Sequence, residues 1–245
     1  MAFTPEESRR YARHLVLKGF GGAGQQALKA ARVLVVGAGG LGSPAIAYLA
    51  GAGVGTLGIA DNDTVSLSNL QRQVIHATGS VGAGKAASAA AFACALNPHV
   101  QVVVHDVRVG ADNAPELVCG YDLVLDGTDN LSTRRAVAAA CEAAGIPLVS
   151  GAVSMFDGQV TVFAPHLARP DGTPAPCFAD LYPPEADDAD LPSCEATGIL
   201  GPLVGVIGSM MAMEAVKLVA GLGEPLIGRV LVYDGKTGRV SEIAF

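Results

Sequence analysis

The sequence predicts an α/β protein: a mostly parallel sheet with flanking helices and a mixed or antiparallel extension at its C-terminal end. Three observations carry this. Between residues 32 and 150, short β-branched runs alternate with Ala-rich helical stretches, a pattern that demands parallel strands joined by helical crossovers. The first of those strands ends in a glycine-rich turn that opens a helix. After Ser150 the alternation stops, and the next strand has no helix before it. With 50% of its 245 residues hydrophobic and 16% charged, the chain can bury a large core, which excludes a disordered or collagen-like protein. The length fits one domain with an embellishment.

The elements follow in order. Thr4-Pro5-Glu6-Glu7 supplies a capping hydroxyl, a proline at the first helical position and a glutamate at the third, so a helix is expected from Pro5 to about Leu17. Arg32–Val36 is a strand and Leu41–Ala52 a helix; Thr56–Ala60 is a second strand, Val81–Leu96 a helix stopped by Asn97-Pro98. Strands Val100–Val104 and Tyr121–Leu125, helix Ser132–Ala144 and strand Pro147–Ser150 complete the series. Gln159–Phe163 then forms a strand, and the Pro-rich, acidic stretch Ala164–Ser193 is expected to be a long mobile loop or lid. A buried helix over Leu203–Ala220 and a hairpin of Val230–Tyr233 with Val240–Ile243 end the chain.

Sixteen Lys and Arg against 23 Asp and Glu give a net charge of -7 with no long basic cluster, which argues against nucleic acid or an anionic membrane as partner. Any anionic ligand has to be held by a few placed cations and backbone N–H groups. Five cysteines, an odd number in a chain too long to need staples, suggest reduced thiols and a cytoplasmic setting; Cys94, Cys119 and Cys141 lie in apolar or helical stretches and read as core. No secretory signal opens the chain. The uncharged run Val33–Ala60 has spanning length, but eight glycines and Pro44 cut it into pieces each too short to span. Ala196–Met213, with four glycines and Pro202, is better explained as a buried core helix.

The chemistry begins at Gly37-Ala38-Gly39-Gly40-Leu41-Gly42, a G-x-G-x-x-G between strand and helix with Asp61 at the end of the next strand. Glycines let the backbone approach a phosphate, the helix N-terminus offers free N–H groups, and the aspartate can accept both ribose hydroxyls. The fold is therefore Rossmann-like. On this motif alone NAD would be the favoured ligand. Ser68-Asn69-Leu70-Gln71-Arg72-Gln73, with Lys85 13 residues beyond Arg72, brings two cations and several amides to one turn, which suits several phosphate charges. Asp126-Gly127-Thr128-Asp129-Asn130 closes the fourth strand at the edge where ligands sit in open parallel sheets; a carboxylate there can hold Mg²⁺, and Asp126 or Asp129 is also placed to cap the following helix.

Over essentially its whole length the chain resembles the MoeB/ThiF enzymes, bacterial relatives of ubiquitin-activating enzymes. The resemblance rests on Arg10-Tyr11-Ala12-Arg13-His14, the glycine turn, Asp61 with Asp63-Thr64-Val65, residues 68–73, Gly84-Lys85, residues 126–130, Gly151 with Gly158-Gln159, and Ser193-Cys194-Glu195 leading into Gly201-Pro202-Leu203-Val204-Gly205. It implies a nucleotidyltransferase: the C-terminal Gly-Gly carboxylate of a small ubiquitin-like sulfur carrier attacks the α-phosphate of ATP, giving an acyl adenylate and pyrophosphate. It further implies that Gly37, Gly39, Gly40 and Gly42 with residues 68–72 and Thr128, Asp129 and Asn130 surround the nucleotide. Within that set Gly40 lines the phosphates, Asp61 holds the ribose, Asn69, Arg72 and Lys85 contact the phosphates, and Asp129 coordinates Mg²⁺. The same resemblance has Arg13 reach a neighbouring subunit's site, hence a homodimer, and makes Cys194 a candidate for a thiol step. On this basis the chain is one adenylation domain: a helical arm to residue 30, a nucleotide-binding half at 31–150, and a carrier-binding half at 151–245 with the mobile loop at 165–193.

One departure is sharp. Many relatives bind zinc through two C-x-x-C pairs, whereas here Cys177-Phe178-Ala179-Asp180 has aspartate at the second position and no later pair follows. Zinc is therefore not expected. With no rhodanese-like sulfur-transfer domain expected after Phe245, sulfur is expected to come from a separate donor protein. Whether the carrier serves molybdopterin, thiamine thiazole or another pathway stays open. An NAD-dependent oxidoreductase, which leaves Arg72, Lys85 and Asp129 without joint purpose, and a nucleotide-binding module without turnover are the alternatives.

Overall fold

A computed structural model describes residues 3–167, 172–183 and 198–245. Its frame is one eight-stranded sheet of order β3-β2-β1-β4-β5-β6-β7-β8. The strands are β1 (Arg32–Val36), β2 (Thr56–Ala60), β3 (Gln101–His105), β4 (Leu123–Asp126), β5 (Leu148–Ser154), β6 (Asp157–Phe163), β7 (Arg229–Asp234) and β8 (Arg239–Ala244). β1 to β5 pair in parallel and β5 to β8 antiparallel. The expected mixed extension is therefore the continuation of the same sheet.

Residues alternate strictly between two cores. Val33 and Val35 of β1 face one cluster with Leu57 and Ile59, and Leu34 and Val36 face another with Val124 and Leu148. Because both faces are covered, these strands read as unbroken apolar runs. On the first face lie α3 (Gly21–Ala30), α4 (Gly42–Ala52), α5 (Lys85–Leu96) and α9 (Gly201–Ala220); on the second lie α6 (Ala114–Val118), α7 (Leu131–Ala144) and α8 (Phe178–Leu181). α9 is apolar and long enough, by length and composition, to cross a membrane, and it packs against α4, β5 and β6 as a core helix. Val33–Ala60 is divided among β1, the glycine turn, α4 and β2.

The first expected helix is broken. The capping box at Thr4 is present, but α1 (Pro5–Arg10) stops at Tyr11 and α2 (Ala12–Leu15) follows. The Tyr11 ring is buried against Gly53, and its hydroxyl accepts from Asn97 Nδ2 at 2.9 Å, so tertiary packing sets the bend. The helix expected from Val81 starts at Lys85. α7 is capped by Asn130, whose Oδ1 accepts from Thr133 N–H at 2.9 Å, and neither Asp126 nor Asp129 fills that role. Of the three cysteines expected in the core, Cys141 is buried but Cys94 and Cys119 are exposed; Cys94 faces outward from α5, and Cys119 sits at the open end of α6. Burial pushes the Cys141 thiol up to about 12.

Candidate functional site

β1 continues to β2 on one side while β4 lies on its other side, so the strand order reverses at β1. Loops leaving the carboxyl ends of β1 and β4 diverge there and leave a crevice. The crevice is an open cleft of about 480 Å³.

The glycine turn forms its floor. Gly37 has φ of +91°, and a Cβ on Gly42 would stand 1.8 Å from the Gly37 carbonyl oxygen. Gly42 is thus the close-packing glycine between α4 and the turn, whereas Gly37, Gly39 and Gly40 line the cleft. Beside the turn stands Asp61: Oδ2 accepts from Ala38 N–H at 2.8 Å and Oδ1 from Asp63 N–H at 2.9 Å. Burial pushes its carboxyl up, against those two N–H groups. Each oxygen keeps a lone pair for a further donor.

The cations come from the next two segments. Lys85, at the first turn of α5, is buried, and its ammonium reaches Asp63 Oδ2 at 2.8 Å. Arg72 donates from Nη1 to the Ser68 carbonyl at 3.2 Å. Both line the cleft with Asn69, whose Oδ1 accepts from Ser66 N–H at 3.2 Å. After β4, the loop carrying Thr128, Asp129 and Asn130 forms the opposite wall. Asp126 is wholly buried beneath it, with Oδ1 accepting from the Thr128 N–H at 3.0 Å and hydroxyl at 2.7 Å.

The sequence-derived residues Gly37, Gly39, Gly40, Asp61, Asn69, Arg72, Lys85, Thr128, Asp129 and Asn130 are therefore brought to one cleft. Gly42, Ser68, Leu70 and Gln71 are not among its lining residues. Arg13 is exposed on α2, away from it. Cys194 lies outside the described residues, as do residues 168–171 and 184–193 of the 165–193 loop. Cys177 N–H donates to Asp180 Oδ2 at 2.8 Å, so the C-x-x-D stretch forms the cap of α8.

Three contributors were not legible. His76 is buried and connects Nε2 to the Ala38 carbonyl and Nδ1 to Ser88 Oγ, both at 2.9 Å. Because a carbonyl only accepts, Nε2 carries the proton and Nδ1 accepts from the hydroxyl; burial holds the imidazole below its ordinary range. Arg108, after β3, and Arg134, on the first turn of α7, also line the cleft. The one available signal for Arg134 was its position four residues after a helix cap at a strand's carboxyl end. Arg72, Lys85, Arg108 and Arg134 face Asp61, Asp63 and Asp129, with Asp126 beneath, so the cleft gathers four cations in an acidic protein.

No group of three or more His, Cys, Asp or Glu side chains able to hold a metal ion occurs among the described residues. The exposed carboxylate of Asp129 suits Mg²⁺, which is commonly bound by one or two carboxylates together with substrate phosphates.

The sequence pattern of the ThiF family matches residues 11–245. The chain is 49% identical to a Mycobacterium tuberculosis protein named probable adenylyltransferase/sulfurtransferase MoeZ, over 95% of this chain and 59% of that one. It thus spans about three fifths of that relative's length. It is 46% identical to a Thermus thermophilus sulfur carrier protein adenylyltransferase, covering 96% of this chain and 86% of that one. Its identity to a molybdopterin-synthase adenylyltransferase of Salmonella typhimurium is 45%, over 98% and 93%. Among solved structures, Escherichia coli MccB with ATP superposes with a TM-score of 0.81 at 20% identity, covering 96% of this chain and 71% of that one, a likeness of fold.

Proposed function

The chain belongs to the ThiF family, and from that membership together with the cleft we infer that it is an ATP-dependent adenylyltransferase acting on the C-terminal glycine of a ubiquitin-like sulfur carrier protein. The observation that carries the reading is the convergence of Arg72, Lys85 and Asp129, from three separate segments, on the glycine turn and Asp61. A dinucleotide site needs the last two only.

In the proposed reaction a carboxylate oxygen of the carrier's terminal glycine attacks the α-phosphorus of ATP. The bond from that phosphorus to the bridging oxygen breaks, its electron pair leaves with pyrophosphate, and an acyl adenylate remains. The enzyme supplies no nucleophile. Two anions have to meet and negative charge grows on the phosphorus oxygens, so the work is positioning and electrostatic stabilisation. Asp61 takes the ribose hydroxyls, the N–H groups of the turn take a phosphate, and Arg72 and Lys85 balance the triphosphate. Mg²⁺, when bound with the nucleotide, neutralises phosphate charge; Asp129 would hold it.

Arg13, exposed on α2, would be contributed to the cleft of a second copy in a homodimer, and Cys194 is a candidate acceptor for a later thiol step. The names of the relatives favour a carrier for molybdopterin synthesis over one for thiamine. The reading is tested by pyrophosphate exchange into ATP: exchange that depends on a carrier and disappears in Asp129→Asn supports it. ATP binding without exchange for any carrier would leave a nucleotide-binding module, and tight NADH binding without ATP binding would revive the oxidoreductase.

A further inference from the structure

Arg134 is 5% exposed, yet no ion pair to it occurs among the described residues. Its Nη2 donates to the Thr128 carbonyl and, at 2.8 Å, to the Gly151 carbonyl. Its Nη1 is buried with no hydrogen-bond partner among the described residues. A buried guanidinium without a carboxylate is costly unless an anion completes it. Asp126, wholly buried nearby, commits Oδ1 to Thr128 and leaves Oδ2 buried without a hydrogen-bond partner among the described residues; it makes no ion pair with the guanidinium.

The strand order says which anion this is. Asp61 follows β2, the glycine turn follows β1 and Asp129 follows β4, so the nucleotide lies across β2, β1 and β4. Arg134 joins the loop after β4 to β5, one strand further along, where Ala152, Val153 and Ser154 continue the cleft. With a nucleotide placed over β2, β1 and β4, this is the side left open for a second substrate to approach its α-phosphate.

We propose that Arg134 receives the terminal carboxylate of the carrier and holds it beside the α-phosphate, making it a substrate-binding residue of the adenylation step. A planar fork of donors matches a carboxylate in two-point contact. Its bonds to Thr128 and Gly151 fix the fork relative to Asp129. The proposal rests on the adenylation reading above.

The test is a double-mutant cycle. Carrier ending in a free carboxylate and carrier ending in a carboxamide are each bound to wild type and to Arg134→Gln, with a non-hydrolysable ATP analogue present. Amidation should weaken binding to wild type by about tenfold or more, the order expected for a charged hydrogen bond, and should weaken binding to R134Q by less than about threefold. A clamp with a purely structural role would weaken both carriers alike and leave the ratio intact. If R134Q discriminates acid from amide as wild type does, the role of Arg134 is overturned and the adenylation reading stands. If wild type neither discriminates nor forms adenylate with the acid, the adenylation reading itself has failed. Should R134Q not fold, Arg134→Lys carries the test: reduced discrimination supports the assignment, and undiminished discrimination overturns it.

Discussion

His76 ties the glycine turn to α5, and replacing it with leucine asks what that tie is worth. His76→Leu keeps most of the volume but strands the Ala38 carbonyl, in a residue with no exposed surface, and frees the Ser88 hydroxyl, which is half-buried and can turn to water. An orphaned buried carbonyl costs about 1 to 3 kcal/mol, and the lost second hydrogen bond adds roughly 1 kcal/mol. The expected loss at pH 7.5 is therefore about 2 to 4 kcal/mol, read from urea unfolding. The pH dependence gives a second handle. Burial, reinforced by Lys85 and opposed by the Ala38 carbonyl and Asp61, depresses the imidazole's pKa. The unfolded chain then binds more protons than the folded one below the ordinary imidazole pKa of about 6.5, so this stabilisation is present above that pH and is lost as pH falls through the folded value. The gap between wild type and H76L should narrow from pH 7.5 towards pH 5. A gap that stays constant with pH, or one below about 0.5 kcal/mol at pH 7.5, would refute the assignment of a buried neutral histidine holding the turn.

Further expectations concern the cleft and the assembly. Asp129→Asn should lower kcat/KM for Mg-ATP by about 100-fold or more, in line with other losses of charge stabilisation, while nucleotide binding measured without Mg²⁺ changes little. Asp63→Asn releases Lys85 from a pair whose aspartate is mostly exposed; stability should fall by less than about 1 kcal/mol, and equilibrium titration should show ATP binding severalfold tighter. Gly42→Ala puts a methyl against the Gly37 carbonyl and should cost about 3 kcal/mol in denaturant unfolding, the upper end for overpacking. If Arg13 serves a second subunit, R13A and R72A are each inactive, and a 1:1 remixed sample recovers roughly a quarter of wild-type activity by random pairing; no recovery would place Arg13 in its own chain's chemistry or outside it.

Much of this was legible because the signals were local. β1, β2 and β4 are buried on both faces and read as apolar runs; the glycine turn, Asp61 and the loop after β4 carry their meaning in spacing. What was missed depended on distant partners. α3 has three glycines, poor helix formers, in its first four residues, and is held by Phe20 and Leu28 entering the core, with Gly24 leaving room for the Phe20 ring. The break at Tyr11 depends on Gly53 and Asn97. His76 and Arg134 looked like ordinary polar residues, because their partners Ala38, Ser88 and Gly151 lie 12 to 38 positions away. The exposure of Cys94 and Cys119 turned on which helix face met the sheet, which Ala-rich sequence such as α5 leaves undetermined.

Whether the cleft joins a protein carboxylate to AMP is decided by incubating the protein with Mg-ATP and a candidate carrier, quenching, and weighing the carrier intact. One adenylyl group on the carrier's terminal glycine, absent with Arg72→Ala, is the expected result; unmodified carrier in every pairing, with ATP bound or NADH bound instead, would contradict it.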